Sequence, residues 1–190
     1  STFETTASLV HTWKVPGNCW ASEVLPEGGH SLALAIDSDD TLHLSYTRFD
    51  QVVHAWKLAS GVWQTEIVAS EAGYYKDIAL DANGGIHIAY VLGGDIRYAS
   101  NTTGFNPSLT PWIIETVVPD VSFANAEQVA LVVSSAGHVH VVYQWHTISA
   151  GGLTYVWKPA AGSWSYQAID VASYRGYHAD LSFKGPCIMP

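Results

Sequence analysis

The segment DIALDANGGIHIAY at residues 77–90 decides how the whole chain must be interpreted. In it, two runs of aliphatic residues flank a polar turn, which is the pattern of a β-hairpin. Related segments are LALAIDSDDTLHLSY at 32–46 and VALVVSSAGHVHVVY at 129–143, and a partial fourth version is YHADLSFKGPCIMP at 177–190. Self-similarity at periods of about 20–50 residues is typical of propellers and solenoids.

Each of these hairpins is joined to a second pair of short segments. The second pairs occupy 52–68, 94–118 and 153–171, and the chain opens with a further one at 8–25. Segments of about five to seven residues between turns have the length of strands, and no stretch shows helical spacing of apolar residues. We therefore predict an all-β, four-bladed β-propeller with almost no helix.

One repeat is split between the two ends of the chain, which predicts a ring closed by a composite blade. We expect a single domain over 1–190, with blades at 177–190 plus 1–25, at 30–70, at 75–118 and at 127–172. Pairing of the two ends would remove free sheet edges. A larger ring built from two chains is the alternative, and the sequence leaves the oligomeric state open.

The composition indicates an ordered domain and excludes some partners. Of the 190 residues, 48% are hydrophobic and 13% are charged. The net charge of −9 and the lack of a Lys/Arg cluster argue against nucleic acid, because phosphate neutralisation needs concentrated basic side chains. No apolar run approaches the ~20 residues of a membrane-spanning helix. A chain that begins at Ser1 fits a processed secreted or extracellular protein and equally a trimmed fragment.

Two covalent modifications are predicted. Cys19 and Cys187 both fall in the composite blade, and a disulfide between them would lock the ring. The turn at 16–18 must then fold back, because the two strands lie about 9–10 Å apart and bridged Cα atoms lie within about 7 Å. The alternative is a pair of buried thiols. Asn101 begins an N-glycosylation sequon in the longest loop and is a candidate glycosylation site.

Residues that recur at one position in several blades are interpreted as structural. They are the strand histidines His43, His87 and His140, and the tryptophans that open the last strands, Trp20, Trp63, Trp112 and Trp164. Features common to all blades serve packing between blades, so a metal held by the histidines is the less favoured alternative. Asp37 and Asp81 follow inner strands and are expected to accept backbone N–H bonds in turns.

Function is expected where the repeats differ. Alignment on the shared histidine places Asp77 and Asp180 at one level of opposite blades, with Tyr75 and His178 two residues before them, toward the central channel. No cofactor is expected, although this group could bind a cation, a water cluster or a polar ligand group. Asp77, Asp180 and His178 could also be an acid/base set if burial separates the pKa values of the carboxylates. Alternatively, the carboxylates only cap backbone N–H groups.

One face of the disc carries the longer loops, with aromatic side chains among carboxylates, histidines and arginines. Such surfaces suit a polar or amphipathic small molecule, a sugar above all, because an aromatic ring stacks on its C–H face while charged groups bind its hydroxyls. Alternatively, these aromatic rings only pack their own loops. The predicted ligand contacts are Tyr75, Gln128, Trp145, His146, Tyr174, Arg175 and Tyr177.

The D-x-x-G-x-x-H-I-A-Y pattern of 81–90 is followed by an R-Y-A strand at 97–99, and G-x-W turns occur at 61–63 and 162–164. Together they resemble the blade repeat of secreted sialidase and BNR-like propellers. The resemblance implies a propeller over nearly the whole chain. Sialidases carry S-x-D-x-G-x-x-W turns and three arginines that bind the substrate carboxylate. The present chain lacks that turn, and its arginines occupy non-equivalent positions, so sialidase activity is not expected. Four blades are also similar in architecture to hemopexin-like domains.

Three functions are compatible with these features. The favoured one is a secreted, lectin-like propeller that binds a carbohydrate or another small polar molecule on the loop-rich face. The second is a small enzyme with its acid/base site at the channel mouth, acting on a glycoside, a lactone or a cyclising natural product. The third is a protein-interaction module. No G-x-S-x-G, Cys-His, phosphate-loop or zinc pattern is present to name a reaction.

Overall fold

A computed structural model describes residues 7–17, 19–25, 27–57, 61–101, 111–118, 125–147, 149–170 and 180–182. These parts of the chain form fourteen β-strands: β1 (Val10–Val15), β2 (Cys19–Val24), β3 (His30–Ile36), β4 (Leu42–Arg48), β5 (Gln51–Lys57), β6 (Gln64–Ala69), β7 (Tyr74–Leu80), β8 (Ile86–Leu92), β9 (Asp95–Asn101), β10 (Ile113–Val118), β11 (Asn125–Val133), β12 (Val139–His146), β13 (Gly151–Lys158) and β14 (Ser165–Asp170). The described ranges contain no helix, so none of them holds a helix that could cross a membrane.

The strands form three four-stranded antiparallel sheets, each built from four consecutive strands. We call β3–β6 the first blade, β7–β10 the second and β11–β14 the third, and β1 with β2 the N-terminal hairpin. The inner strands β3, β7 and β11 lie next to one another, as expected for successive propeller blades. The all-β propeller-like architecture is thus confirmed. The predicted composite blade depends on 177–179 and 183–190, which lie outside the described residues.

The core lies between the blades, where the second strands of the first two blades are covered on both faces. Every interior position of β4 and β8 is buried, including Tyr46 and Tyr90. One apolar cluster joins the second blade to the third, another joins the first to the second, and a third joins the hairpin to the first blade. Sheets packed face to face bury apolar side chains in this way.

The tight turns follow the sequence prediction. Asp37 Oδ1 accepts hydrogen bonds from the backbone N–H groups two and four residues further on, both at 2.8 Å. Asp81 Oδ1 does the same at 2.7 and 2.8 Å. In the third blade Ser134 Oγ takes this position and accepts from the N–H four residues on at 3.0 Å. The carboxylates therefore stabilise turns, as predicted.

The repeated histidines are interior hydrogen-bonding groups. Each histidine is hydrogen-bonded through Nδ1 to a ring of the neighbouring strand. The distances are 3.1 Å from His43 to His54 Nε2, 2.5 Å from His87 to Tyr98 Oη and 2.5 Å from His140 to Tyr155 Oη. Burial lowers the pKa of all three histidines below the ordinary value. In the described ranges, no three His, Cys, Asp or Glu side chains converge to hold a metal. The geometry supports the structural interpretation.

A carboxylate joins neighbouring blades at two places. Glu23 of β2 accepts from Lys57 Nζ at 2.6 and 2.7 Å, and from Trp63 Nε1 and His11 Nδ1 at 3.0 Å each. Burial opposes ionisation of Glu23, but these hydrogen bonds outweigh it and lower its pKa to about 2. Between the second and third blades the same group consists of Glu115, Lys158 and Trp164. We call each group a carboxylate clasp.

Candidate functional site

The inner strand of the second blade departs from its counterparts in two adjacent side chains. Lys76 and Asp77 stand where the first blade has Leu32 and Ala33. Both charged residues lie beside an irregularity in the pairing of β7 with β8. A lysine and an aspartate in place of apolar residues have no role common to all blades. These two side chains are therefore the first candidates for a site-specific role.

Asp77 connects the second blade to the third. Its Oδ1 accepts from its neighbour's backbone N–H at 2.9 Å, and its Oδ2 accepts from the N–H of Leu131 at 2.7 Å. Burial raises the pKa of Asp77, and the charge of Asp180 raises it further against these hydrogen bonds. Asp180 itself is exposed, and its Oδ1 accepts from the N–H of the following residue at 2.8 Å. The charge of Asp180 thus acts on Asp77, and Asp77 also has the backbone-capping role expected as the alternative.

Lys76 extends from β7 toward the first blade. Its Nζ donates to the carbonyl of Gly73 at 2.5 Å and to the hydroxyl of Thr47 on β4. The side chain is buried, and this burial lowers the pKa of Lys76 to about 7. One strand of the second blade is therefore hydrogen-bonded to both neighbouring blades, by a lysine on one side and an aspartate on the other.

Two tyrosines that open β7 form the exposed aromatic part of the site. Tyr74 and Tyr75 are each 47% exposed, and Tyr74 stacks on His30 with 5.5 Å between ring centroids. Tyr75 has a φ of 45°, and Ser31, its counterpart in the first blade, has 51°. A positive φ is uncommon for residues other than glycine, and its recurrence in both blades shows that the irregular pairing of the inner strands sets it. The tyrosine ring is the part that is particular to the second blade.

The other predicted contact residues lie in less exposed surroundings. Gln128 is half-buried on β11. Trp145 on β12 packs against the core between the second and third blades, and its Nε1 donates to Thr154 at 3.2 Å. His146 ends β12 and is half-buried. The structure therefore places Trp145 in a packing role. Four further residues predicted to belong to the site lie outside the described ranges: Tyr174, Arg175, Tyr177 and His178.

The predicted modifications receive no support. Cys19 begins the outer strand β2 as an exposed, free thiol, which does not support the disulfide; Cys187 lies outside the described ranges. This agrees with the wide spacing between an outer strand and the second strand of a blade. Asn101 ends β9 and is only 4% exposed. Its burial argues against a glycan on its side chain in the folded protein.

No family model and no curated protein match the chain. Among solved structures it is similar to a bifunctional GH43-CE protein from Bacteroides eggerthii, with a TM-score of 0.53, 14% identity, and coverage of 91% of this chain and 25% of that one. It is also similar to a point mutant of NanB sialidase from Streptococcus pneumoniae, with a TM-score of 0.61, 16% identity, and coverage of 88% and 29%.

These likenesses show the fold alone, since both identities are low. The structural resemblance to sialidase-type propellers is confirmed at this level. The chain spans between a quarter and a third of the length of the two structures. Carbohydrate chemistry, which the names of both proteins suggest, is therefore a matter of proposal for this chain.

Proposed function

We propose that the protein is a secreted or extracellular propeller that binds a carbohydrate through the loop-rich end of the second blade. The observation that carries this proposal is Tyr75, a large aromatic side chain that is exposed in a left-handed backbone conformation. The backbone conformation is shared with Ser31 at the equivalent irregularity of the first blade, so it belongs to the fold. What is particular to the second blade is the tyrosine ring, which this conformation holds half in solvent, where it can stack on a ligand.

Sugar rings suit the groups around Tyr75. The exposed faces of Tyr74 and Tyr75 can stack on the C–H face of a pyranose, and His30 fixes the ring of Tyr74 by stacking. Rigid aromatic rings lose little side-chain entropy on binding, which makes them effective contacts. The two structural neighbours are named for enzymes that act on glycans, which supports the same ligand class.

The second candidate function is acid/base chemistry at Asp77 and Asp180. It is favoured by one observation, the pKa of Asp77, which burial and the nearby charge of Asp180 raise. A buried carboxyl with a raised pKa near a second carboxyl is an arrangement that can supply a general acid and a general base. The two backbone N–H groups that bind Asp77 give it a structural role as well, so binding is the better-supported function.

We also propose that the ring closes through the composite blade. The outward face of β3 carries Leu32, Leu34 and Ile36, each at least half exposed, whereas Ile78 and Leu131 on the neighbouring inner strands are buried. A cavity of about 680 Å³ separates this face from β1. The segment 177–190 has the sequence pattern of the first two strands of a blade, and the effect of the Asp180 charge on Asp77 supports this proposal.

A glycan array with the purified protein, beside Tyr75→Ala and Tyr166→Ala, tests the binding proposal. Tyr166 is the matched control, since it is an exposed tyrosine on β14 of the third blade. We expect the wild type and Tyr166→Ala to bind the same glycans and Tyr75→Ala to lose about tenfold or more in affinity, as loss of one stacking ring predicts. Binding by none of the three proteins would refute the proposal.

A further inference from the structure

The third strand of the blades carries a Trp-Lys pair in every repeat except the second blade. The strand pairings align these positions, because Trp56, Ser100 and Trp157 face the repeated strand histidines. The hairpin has Trp13 with Lys14, the first blade Trp56 with Lys57, and the third blade Trp157 with Lys158, whereas the second blade has Ser100 with Asn101. The second blade therefore lacks one indole.

The junction between the hairpin and the first blade shows what this indole contacts. There the ring of Trp13 stacks on His11 with 4.8 Å between centroids. The Nζ of Lys57, which belongs to the clasp, lies 5.8 Å from the centroid of Trp13 and 6.0 Å from that of Trp63. The indole thus lies between an aromatic face and a cation of the neighbouring blade.

The same surroundings exist between the second and third blades without the indole. Trp164 meets Tyr98 edge-on at 5.3 Å, and Lys158 Nζ lies 5.6 Å from the centroid of Trp164. Beside them is a cavity of about 380 Å³. Its lining includes Tyr98, Ser100, His87, Glu115, Val139 and Lys158. Each group that would contact an indole is present, and only the ring is missing.

We propose that this cavity binds a small, planar, electron-rich aromatic ring of about the size of indole. The aromatic side chain of Tyr98 lines the cavity and can contact such a ring, and the ammonium of Lys158 favours an electron-rich ring by a cation–π contact. The volume lies within the ~300–1,000 Å³ range of small-molecule sites. A cavity left by an absent large side chain can accept a molecule of matching shape. This site is between two blades and is independent of the sugar site.

Titration with indole, followed by ¹H–¹⁵N NMR, tests the proposal. The wild type should show saturable shifts at the amides of Tyr98, Ser100 and Lys158. Ser100→Trp supplies the ring within the chain, so it should bind indole at least about tenfold more weakly, while Ser100→Ala should bind within about threefold of the wild type. Cyclohexanol, a ring without π electrons, should bind more weakly than indole.

Thermal unfolding gives a second measurement on the same variants. Both Ser100→Trp and Ser100→Ala lose the hydrogen bond between the buried Ser100 hydroxyl and Tyr98, so the two variants are compared with each other. Ser100→Trp fills the cavity and should have a Tm about 2–4 °C above that of Ser100→Ala. The proposal is overturned if indole causes no saturable shift in the wild type. It is also overturned if indole binds folded Ser100→Trp as well as it binds the wild type, because the ligand then occupies another place.

Discussion

The clasp around Glu23 permits a quantitative prediction for Glu23→Gln. The amide keeps an acceptor for the indole N–H of Trp63 but loses the charge that binds Lys57 and His11. Lowering the pKa of Glu23 from 4.5 to about 2 corresponds to an upper bound of about 3 kcal/mol. The carboxylate is 26% exposed, so solvent screening reduces the expected loss to about 1–2 kcal/mol.

Urea and thermal unfolding at pH 7 measure this loss. For a chain of this length we expect Tm to fall by about 3–6 °C. Asp39→Asn is the matched control, because Asp39 is an exposed turn carboxylate, and it should change stability by less than about 0.5 kcal/mol. A Glu23→Gln variant as stable as Asp39→Asn would show that the clasp does not stabilise the junction.

The pH dependence gives the same prediction a second test. Since folding lowers the pKa of Glu23, its contribution is complete above pH 4.5 and is lost as the pH falls through about 2. The difference in free energy of unfolding between the wild type and Glu23→Gln should therefore become smaller as the pH falls from 4.5 to about 2. A constant difference down to the lowest pH at which both proteins fold would mean that the charge is not the cause.

Three further predictions concern other parts of the fold. Gly73→Ala should cost about 1–3 kcal/mol in urea unfolding, because a Cβ there would lie 2.5 Å from a ring carbon of Tyr90, whereas Gly162→Ala, with neighbours at 3.4 Å or more, should cost little. The free energy of unfolding should fall from pH 7 to pH 5, because burial lowers the pKa of His87 and the unfolded chain therefore takes up the proton first. In His87→Gln the slope of the free energy of unfolding against pH should be smaller by up to about 1.4 kcal/mol per pH unit. Asp77→Asn should lower Tm by several degrees, because the amide oxygen can accept only one of the two backbone N–H bonds. An unchanged Tm in Asp77→Asn would contradict the role of Asp77, and an unchanged slope in His87→Gln would contradict the role of His87.

Much of the fold could be predicted because the repeats are local in sequence. Alternating apolar residues around polar turns predict strands and hairpins, and the number of repeats predicts the number of blades. Asp37 and Asp81 could be assigned to turns because their partners lie two and four residues away. The same reasoning assigned the repeated histidines to the interior of the blades.

The remaining features depend on contacts between distant parts of the chain. Trp145 is a residue type that often contacts ligands, but on β12 its side chain packs against the core. Lys76 extends back to β4, a contact that strand alternation alone does not define. The sequence indicates the place of the cavity, because the Trp-Lys pair of the other repeats is replaced by Ser100 and Asn101. That a cavity results follows only from the fold, which brings Lys158 of the next blade beside Ser100.

The most direct test of carbohydrate binding at the tyrosine pair is ¹H–¹⁵N NMR mapping with the glycan that gives the strongest array signal. If the tyrosine pair binds the glycan, saturable shifts are expected at the amides of His30, Tyr74 and Tyr75. These shifts should be lost in Tyr75→Ala while the rest of the spectrum is preserved. Shifts confined to another surface, or shifts of the same size in Tyr75→Ala, would contradict carbohydrate binding at the tyrosine pair.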